Sequence, residues 1–158
     1  MHREIGMKHV PALIVAALLA MSADVAAAST PSTDQLEAHR WQLERATDAQ
    51  GRRIDALFVR GRPPYTLRFQ PGYMSQLNLC NQASSTYRLQ GDRLVLEGGI
   101  ITTAACIRAE VAEQERVAGT VVNARAEMTL ALDGRGRLLL RNAHGDVLEF
   151  APVSGTDE

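Results

Sequence analysis

Thiols are scarce in this chain of 158 residues, whose two cysteines are Cys80 and Cys106. They lie too far apart in sequence for a C-x-x-C redox pair. Histidine is equally thin. His39 and His144 are the histidines beyond residue 28, and neither has an acidic or cysteine partner at metal-ligand spacing. Both read as solvated loop residues. Neither H-E-x-x-H nor G-x-S-x-G occurs, so no catalytic residue is assigned and no metal or cofactor is expected. An excess of one charge is also missing: Lys and Arg number 17 against 18 Asp and Glu. Arg52, Arg53, Arg60, Arg62, Arg135 and Arg137 are scattered among turns instead of massed on one face, which argues against nucleic acid as a partner.

Long apolar runs are missing after residue 28. The one before it, Val10 to Ala20, contains Pro11, gives way to Asp24, and falls short of the roughly 20 residues a membrane helix needs. Preceded by Met7-Lys8-His9 and followed by the small residues Ala26-Ala27-Ala28, it reads as an export signal cut near Ala28. Translation from Met1 or from Met7 fits equally. No cysteine follows the run at the cleavage site, so no lipid anchor is expected, and a periplasmic chain without an integral membrane segment is. About 130 residues then remain, enough for one domain with its own core. Residues 29–39 read as a linker, 40–152 as the domain and 153–158 as a flexible tail.

Within the domain the apolar residues fall in short alternating sets, the period of half-buried strands. Trp41 and Leu43 share one face of a first strand, and Gly51 lies in the turn after it. Ile54 to Val59 is open between strand and irregular structure. Tyr65, Leu67 and Phe69 alternate cleanly, Pro71-Gly72 turns the chain, and the return strand is predicted to place Leu77 and Leu79 on one face. Tyr87 to Leu89 and Leu94 to Leu96 flank Gly91-Asp92 as a hairpin that Gly98-Gly99 should end. Met128 to Leu132, Leu138 to Leu140 and Val147 to Phe150 form a closing meander, with turns at 133–136 and 142–146.

One helix interrupts this pattern. Ile107, Val111, Ala118 and Val121 recur at helical spacing, broken by Gln114, with Arg108, Glu110, Glu113 and Arg116 on the other face. Gly119 and the β-branched residues to Val122 weaken its last turn. The resulting fold class is mainly β: a partly open antiparallel barrel of about seven to eight short strands, curled by its own twist, with the helix packed on it.

Two thiols sent into an oxidising compartment are expected to form one disulfide, Cys80–Cys106. Closing such a loop of about 25 residues contributes roughly 3 to 4 kcal/mol in the chain-entropy model. Asn81 and Thr103 stand beside the cysteines, where local capping of exposed backbone is their simplest role. Asp92 and Asp133 are explained by turn chemistry, and Asp55 also falls near a turn.

The set Trp41-x-Leu43, Leu67-x-Phe69, Cys80-Asn81, Tyr87-x-Leu89, Thr102-Thr103-Ala104-Ala105-Cys106, the glutamate-bearing helix and Gly145-Asp146-Val147-Leu148-Glu149-Phe150 resembles the META domain of HslJ-like proteins over about Arg40 to Pro152. The resemblance implies that Asn81, Thr102, Thr103 and a helix glutamate, Glu115 or in a competing register Glu113, form the family motif. It departs from the family at Leu79 and Ser85, where glycine is usual. It further implies a cell-envelope domain linked to heat shock and stress tolerance, without established enzymatic activity.

Two functions follow as expectations. The first is a non-enzymatic periplasmic interaction protein whose disulfide preserves a rigid sheet for an envelope partner. The alternative is a carrier holding a lipid or other apolar ligand between helix and sheet, with Leu67, Phe69 and Ile107 lining the space.

Overall fold

The structure, a computed structural model, describes residues 27–123 and 127–154. The expected export signal, apart from its last two residues, and the last four residues of the expected tail lie outside them. Eight strands follow in order: β1 (His39–Thr47), β2 (Thr66–Gln70), β3 (Tyr73–Leu77), β4 (Ala83–Gln90), β5 (Arg93–Ile101), β6 (Met128–Leu132), β7 (Leu138–Asn142) and β8 (Val147–Ser154). Each pairs antiparallel with the next and β8 returns to β1, so the sheet closes into a barrel. The thinnest seam is β5–β6, with two residue pairs among the described residues, Arg93↔Thr129 and Leu94↔Met128. Among the described residues no helix is long and apolar enough to cross a membrane.

Alternation fills the barrel. Trp41 and Leu43 of β1, Leu67 and Phe69 of β2, Leu130 and Leu132 of β6, Leu138 and Leu140 of β7, and Leu148 and Phe150 of β8 all point inward and are buried. A register shift between Leu43 and Arg45 inserts one extra residue in β1, which moves the inward phase to Ala46. Edge-to-face ring pairs, Phe69 on Tyr87 at 5.2 Å and Tyr65 on Phe150 at 6.0 Å, lock strands from different walls together.

Both ends are plugged. The stretch read from sequence as a linker contains α1 (Thr33–Glu37), opened by a capping box in which Ser32 and Gln35 satisfy each other's main-chain N–H. Its Leu36 is fully buried, the Leu36 carbonyl accepts from Trp41 Nε1 at 2.9 Å, and Ser29 bridges to Leu132. The other end is spanned by α2 (Ala109–Val121), which buries Val111, Gln114, Ala118 and Val121. The carbonyls at its C-terminus lack intrahelical donors. They accept instead from strands on opposite walls, Val122 O from Gln76 Nε2 at 3.3 Å on β3 and Val121 O from Asn142 Nδ2 at 3.4 Å on β7. Gln76 is in turn fixed by the Tyr65 hydroxyl at 2.6 Å.

Several sequence expectations are corrected. Leu77 does not share a face with Leu79: β3 turns Met74 and Gln76 inward, and only the left-handed Asn78, at φ 64°, brings Leu79 back into the core. Gly98-Gly99 does not end the hairpin, because a register shift opposite Ser84 and Thr86 carries β5 on to Ile101. Ile107 lies ahead of α2 and is 98% exposed, while Gln114, which interrupts the apolar stripe, is buried. The segment from Ile54 holds a short 3-10 turn at Asp55–Leu57 that packs on α2 through Gln114 Nε2, which donates to Leu57 O at 3.0 Å.

One turn design is used three times. Asp48, Asp133 and Asn142 each accept, through Oδ1, the main-chain N–H groups two and four residues on, at 2.9 to 3.0 Å. The fourth residue of each turn is glycine at positive φ, Gly51, Gly136 and Gly145. The fifth residue closes the motif by a side chain: Arg52 Nε on Asp48 Oδ2, Arg137 Nε on Asp133 Oδ2, and Asp146 Oδ2 accepting from Asn142 Nδ2. A short polar side chain that mimics the backbone sets each turn through local hydrogen bonds.

Candidate functional site

The polar centre of the molecule lies at the barrel end spanned by α2. Cys80 follows β3, Cys106 precedes α2, and the two are bonded with Cα atoms 5.8 Å apart. Neither loop around the bridge has ladder partners of its own. Asn81 supplies them. Its Oδ1 accepts from Ala104 N at 2.7 Å and Thr102 Oγ1 at 3.1 Å, while Nδ2 donates to Ala104 O at 3.2 Å and Glu115 Oε1 at 3.1 Å. Its main-chain N–H donates to Glu115 Oε2 at 2.5 Å. Acceptor and donor capacity of the amide is thereby used in full, as burial of Asn81 demands.

The two segments also zip together through Gln82 and Thr102: Thr102 N donates to Gln82 O and Gln82 N to Thr102 Oγ1, both at 3.1 Å. On the other side, Arg62 Nη2 donates to the carbonyls of Asn78 and Leu79, at 3.4 and 3.2 Å. Thus the two segments that carry the cysteines and the helix meet at one residue pair, Asn81 and Glu115, and Arg62 ties a further stretch to the carbonyls just ahead of it. Thr103 is exposed and takes no part in this network; Thr102 does the work expected beside the cysteine. Of the two glutamates left open by the sequence, Glu115 turns in, and Glu113 pairs on the surface with Arg116 at 2.6 Å.

A cleft of about 380 Å³ opens over the bridge, lined by Arg62, Cys80, Cys106, Ile107, Arg108 and Val111. Cys80 Sγ, Cys106 Sγ and a Glu115 carboxylate oxygen lie within 4.8 Å of one another. Bonded to each other, the sulfurs carry no thiolate charge and are poor ligands.

Several other titratable groups have structural partners. Burial opposes ionisation of Asp48 and Asp133, but their turn amides and the Arg52 and Arg137 guanidinium groups outweigh it and hold both carboxyls below the usual range. The Arg116 hydrogen bond lowers Glu113 likewise. Burial pushes the Tyr65 phenol far up, and burial together with the Glu37 carboxylate does the same to Tyr87. Asp55 pairs with Arg53 at 2.8 Å, and the Asp92 carbonyl accepts from Leu130 N. His39 lies edge-on to Trp41 at 5.5 Å, and His144 sits in the Asn142 turn at the other end of the barrel. Buried Gln76, Gln114 and Asn142, which tie α2 down, were not picked out from sequence. The interruption of the helix stripe by Gln114 was their one visible signal.

Residues 34–155 match the model of the META domain family. Two solved structures share the fold. An NMR structure of a protein from Burkholderia xenovorans superposes with a TM-score of 0.65 at 20% identity, covering 94% of this chain and 99% of that one. A second NMR structure gives a TM-score of 0.58 at 18% identity, covering 80% of this chain and 99% of its own. No curated protein matches. With the family model spanning nearly the whole described barrel and α2, the chain belongs to the META domain family.

Proposed function

We propose that this META domain is an exported, non-enzymatic interaction protein of the cell envelope that receives a protein partner on the outer wall formed by β3, β4 and β5. The observation that carries the reading is exposed apolar surface at the end of that wall: Ile100, in the outward phase of Ser75 and Ser84, is 79% exposed, and the next residue, Ile101, is 55% exposed at the rim. They flank a shallow cleft of about 200 Å³ floored by small side chains, Ser75, Ala83 and Ser84. Ser75, Ser84 and Ile100 stand side by side across three strands in the ladder register. Apolar side chains around a floor of small residues suit a protein surface that buries branched or aromatic groups.

Export is supported by the apolar leader and by the bridge that consumes both thiols. The stress role that the HslJ-like resemblance implies then belongs to the complex rather than to chemistry by this chain. The carrier alternative loses its lining, because Leu67 and Phe69 pack in the barrel core whereas Ile107 stands in solvent.

A photo-cross-linking residue placed at Ile100 in the full chain, expressed in cells, tests the wall against a control at the exposed Arg45. A protein adduct from position 100 and none from position 45 is expected. Equal adducts, or none from either, would remove the docking wall. Recovery of the uncut precursor from the cytosol, with no product beginning near Ser29, would remove export.

A further inference from the structure

We propose that reduction of the Cys80–Cys106 bridge uncovers a metal site in which the two thiolates and the Glu115 carboxylate hold a zinc-like divalent cation. The three ligand atoms already lie within 4.8 Å of one another, and each residue is half-buried. In tetrahedral zinc coordination the Zn–S distance of about 2.3 Å places two thiolates about 3.8 Å apart. Side-chain rotation reaches this from cysteines whose Cα atoms are 5.8 Å apart.

The surroundings fit a ligand set. Both Glu115 oxygens accept a single hydrogen bond from Asn81, so the carboxylate is aimed while lone pairs stay free for a cation. Asn81 thus stands where an outer-shell partner of a metal ligand stands. The cleft over the bridge gives ion and water access to both sulfurs, and a water from it completes four-coordination. Two thiolates with one carboxylate select zinc over magnesium or calcium, which prefer all-oxygen sites.

The redox step balances with a dithiol as co-reactant. Its two thiols are oxidised to a disulfide, the Cys80–Cys106 bond takes up the two electrons and breaks, and each sulfur receives one proton. Binding of the cation then releases both protons to solvent. The proposal is independent of the docking wall on β3, β4 and β5.

The full chain, reduced with a phosphine and desalted without oxygen, is titrated with Co²⁺ and then Zn²⁺. Thiolate-to-cobalt charge-transfer absorption is expected to saturate at one ion per chain, to vanish on adding Zn²⁺, and to be absent from the oxidised chain. Glu115→Gln should weaken binding at least tenfold. No such band in the reduced, folded chain, or an unchanged affinity in E115Q, overturns the site. Where reduction unfolds the chain, Zn²⁺ should restore its circular dichroism, and failure to do so overturns the site equally.

Discussion

Glu115 grips Asn81 at two points, its Oε2 accepting the main-chain N–H at 2.5 Å and its Oε1 the side-chain N–H at 3.1 Å. Hydrogen bonds to a charged acceptor are worth about 1.5 to 3 kcal/mol, and a buried donor left without a partner costs about 1 to 3 kcal/mol. Glu115→Ala is therefore expected to lower the stability of the domain by about 2 kcal/mol. Asn81→Ala, which also strands Ala104 N and Thr102 Oγ1, should cost about 3 kcal/mol. Urea unfolding of the oxidised chain measures both, and an N81A midpoint equal to wild type would show that the network contributes nothing.

The bridge and this network restrain the same two segments from opposite sides. With a sequence separation of 26, the chain-entropy relation gives about 3.5 kcal/mol for the bond alone. Reduction, or Cys106→Ala, should lower the melting temperature by roughly 10 to 15 °C. The two changes should also be non-additive with N81A, since both loosen the loop that Asn81 holds. Scanning calorimetry of the four species in a double-mutant cycle reads this directly, and strict additivity would mean that bridge and amide act on separate parts of the fold.

Legibility of the sequence tracked the reach of each signal. Two-residue alternation in Leu67-x-Phe69 or Leu138-x-Leu140 is enforced by the pleat and needs no tertiary knowledge. The turns at 133–136 and 142–146 were equally plain, because Asp, Asn and Gly act locally. What failed were phase changes. The extra residue near Glu44 and the left-handed Asn78 each shift the inward face by one, and the surrounding residue types do not announce them. Ile107 fitted the helix stripe yet belongs to the loop held by Asn81, so a long-range hydrogen-bond hub overrode a local pattern. In the site, Cys80, Cys106 and Asn81 were visible from position. The choice of Glu115 over Glu113 required the orientation of α2, and Gln76 and Gln114 required knowing which carbonyls the barrel leaves unmet.

Asp133 offers a pH test. Its carboxyl is held below the usual range, so the folded state releases its proton at a lower pH than the unfolded chain does. The stabilisation is complete above the unfolded value near 3.9 and is lost as the pH falls through the folded value. Asp133→Asn keeps an Oδ1 acceptor for the amides of Arg135 and Arg137, as Asn142 does in the sister turn, but removes the charge. It should be less stable than wild type at pH 7, where the charge contributes in full even though Arg137 retains Glu149 at 3.0 Å, and should converge with wild type in acid, showing a flatter fall in stability between about pH 4 and pH 2. Asp133→Ala loses the turn as well, at about 1 kcal/mol across the whole range. Thermal melts at stepped pH separate the two, and an acid limb equally steep in D133N would deny the charge any part.

The repeated turn permits an internal control on glycine. Gly136 and Gly145 hold φ of 75° and 89°, conformations that cost an L-residue roughly 1 to 2 kcal/mol. A Cβ added at Gly136 meets nothing within 4 Å, whereas one at Gly145 would come 3.0 Å from Ala49 Cβ in the neighbouring turn. Gly136→Ala should therefore cost only the backbone penalty. Gly145→Ala should cost about 1 kcal/mol more, since the first and third turns must move apart and Asn142, which ties β7 to the end of α2, moves with the third. Replacing Ala49 by Gly in the G145A background should return the difference, because it removes the obstructing methyl while leaving the dihedral cost in place. If A49G gives no recovery in urea unfolding, the excess cost arises in the turn itself, and the two hairpins do not press on each other.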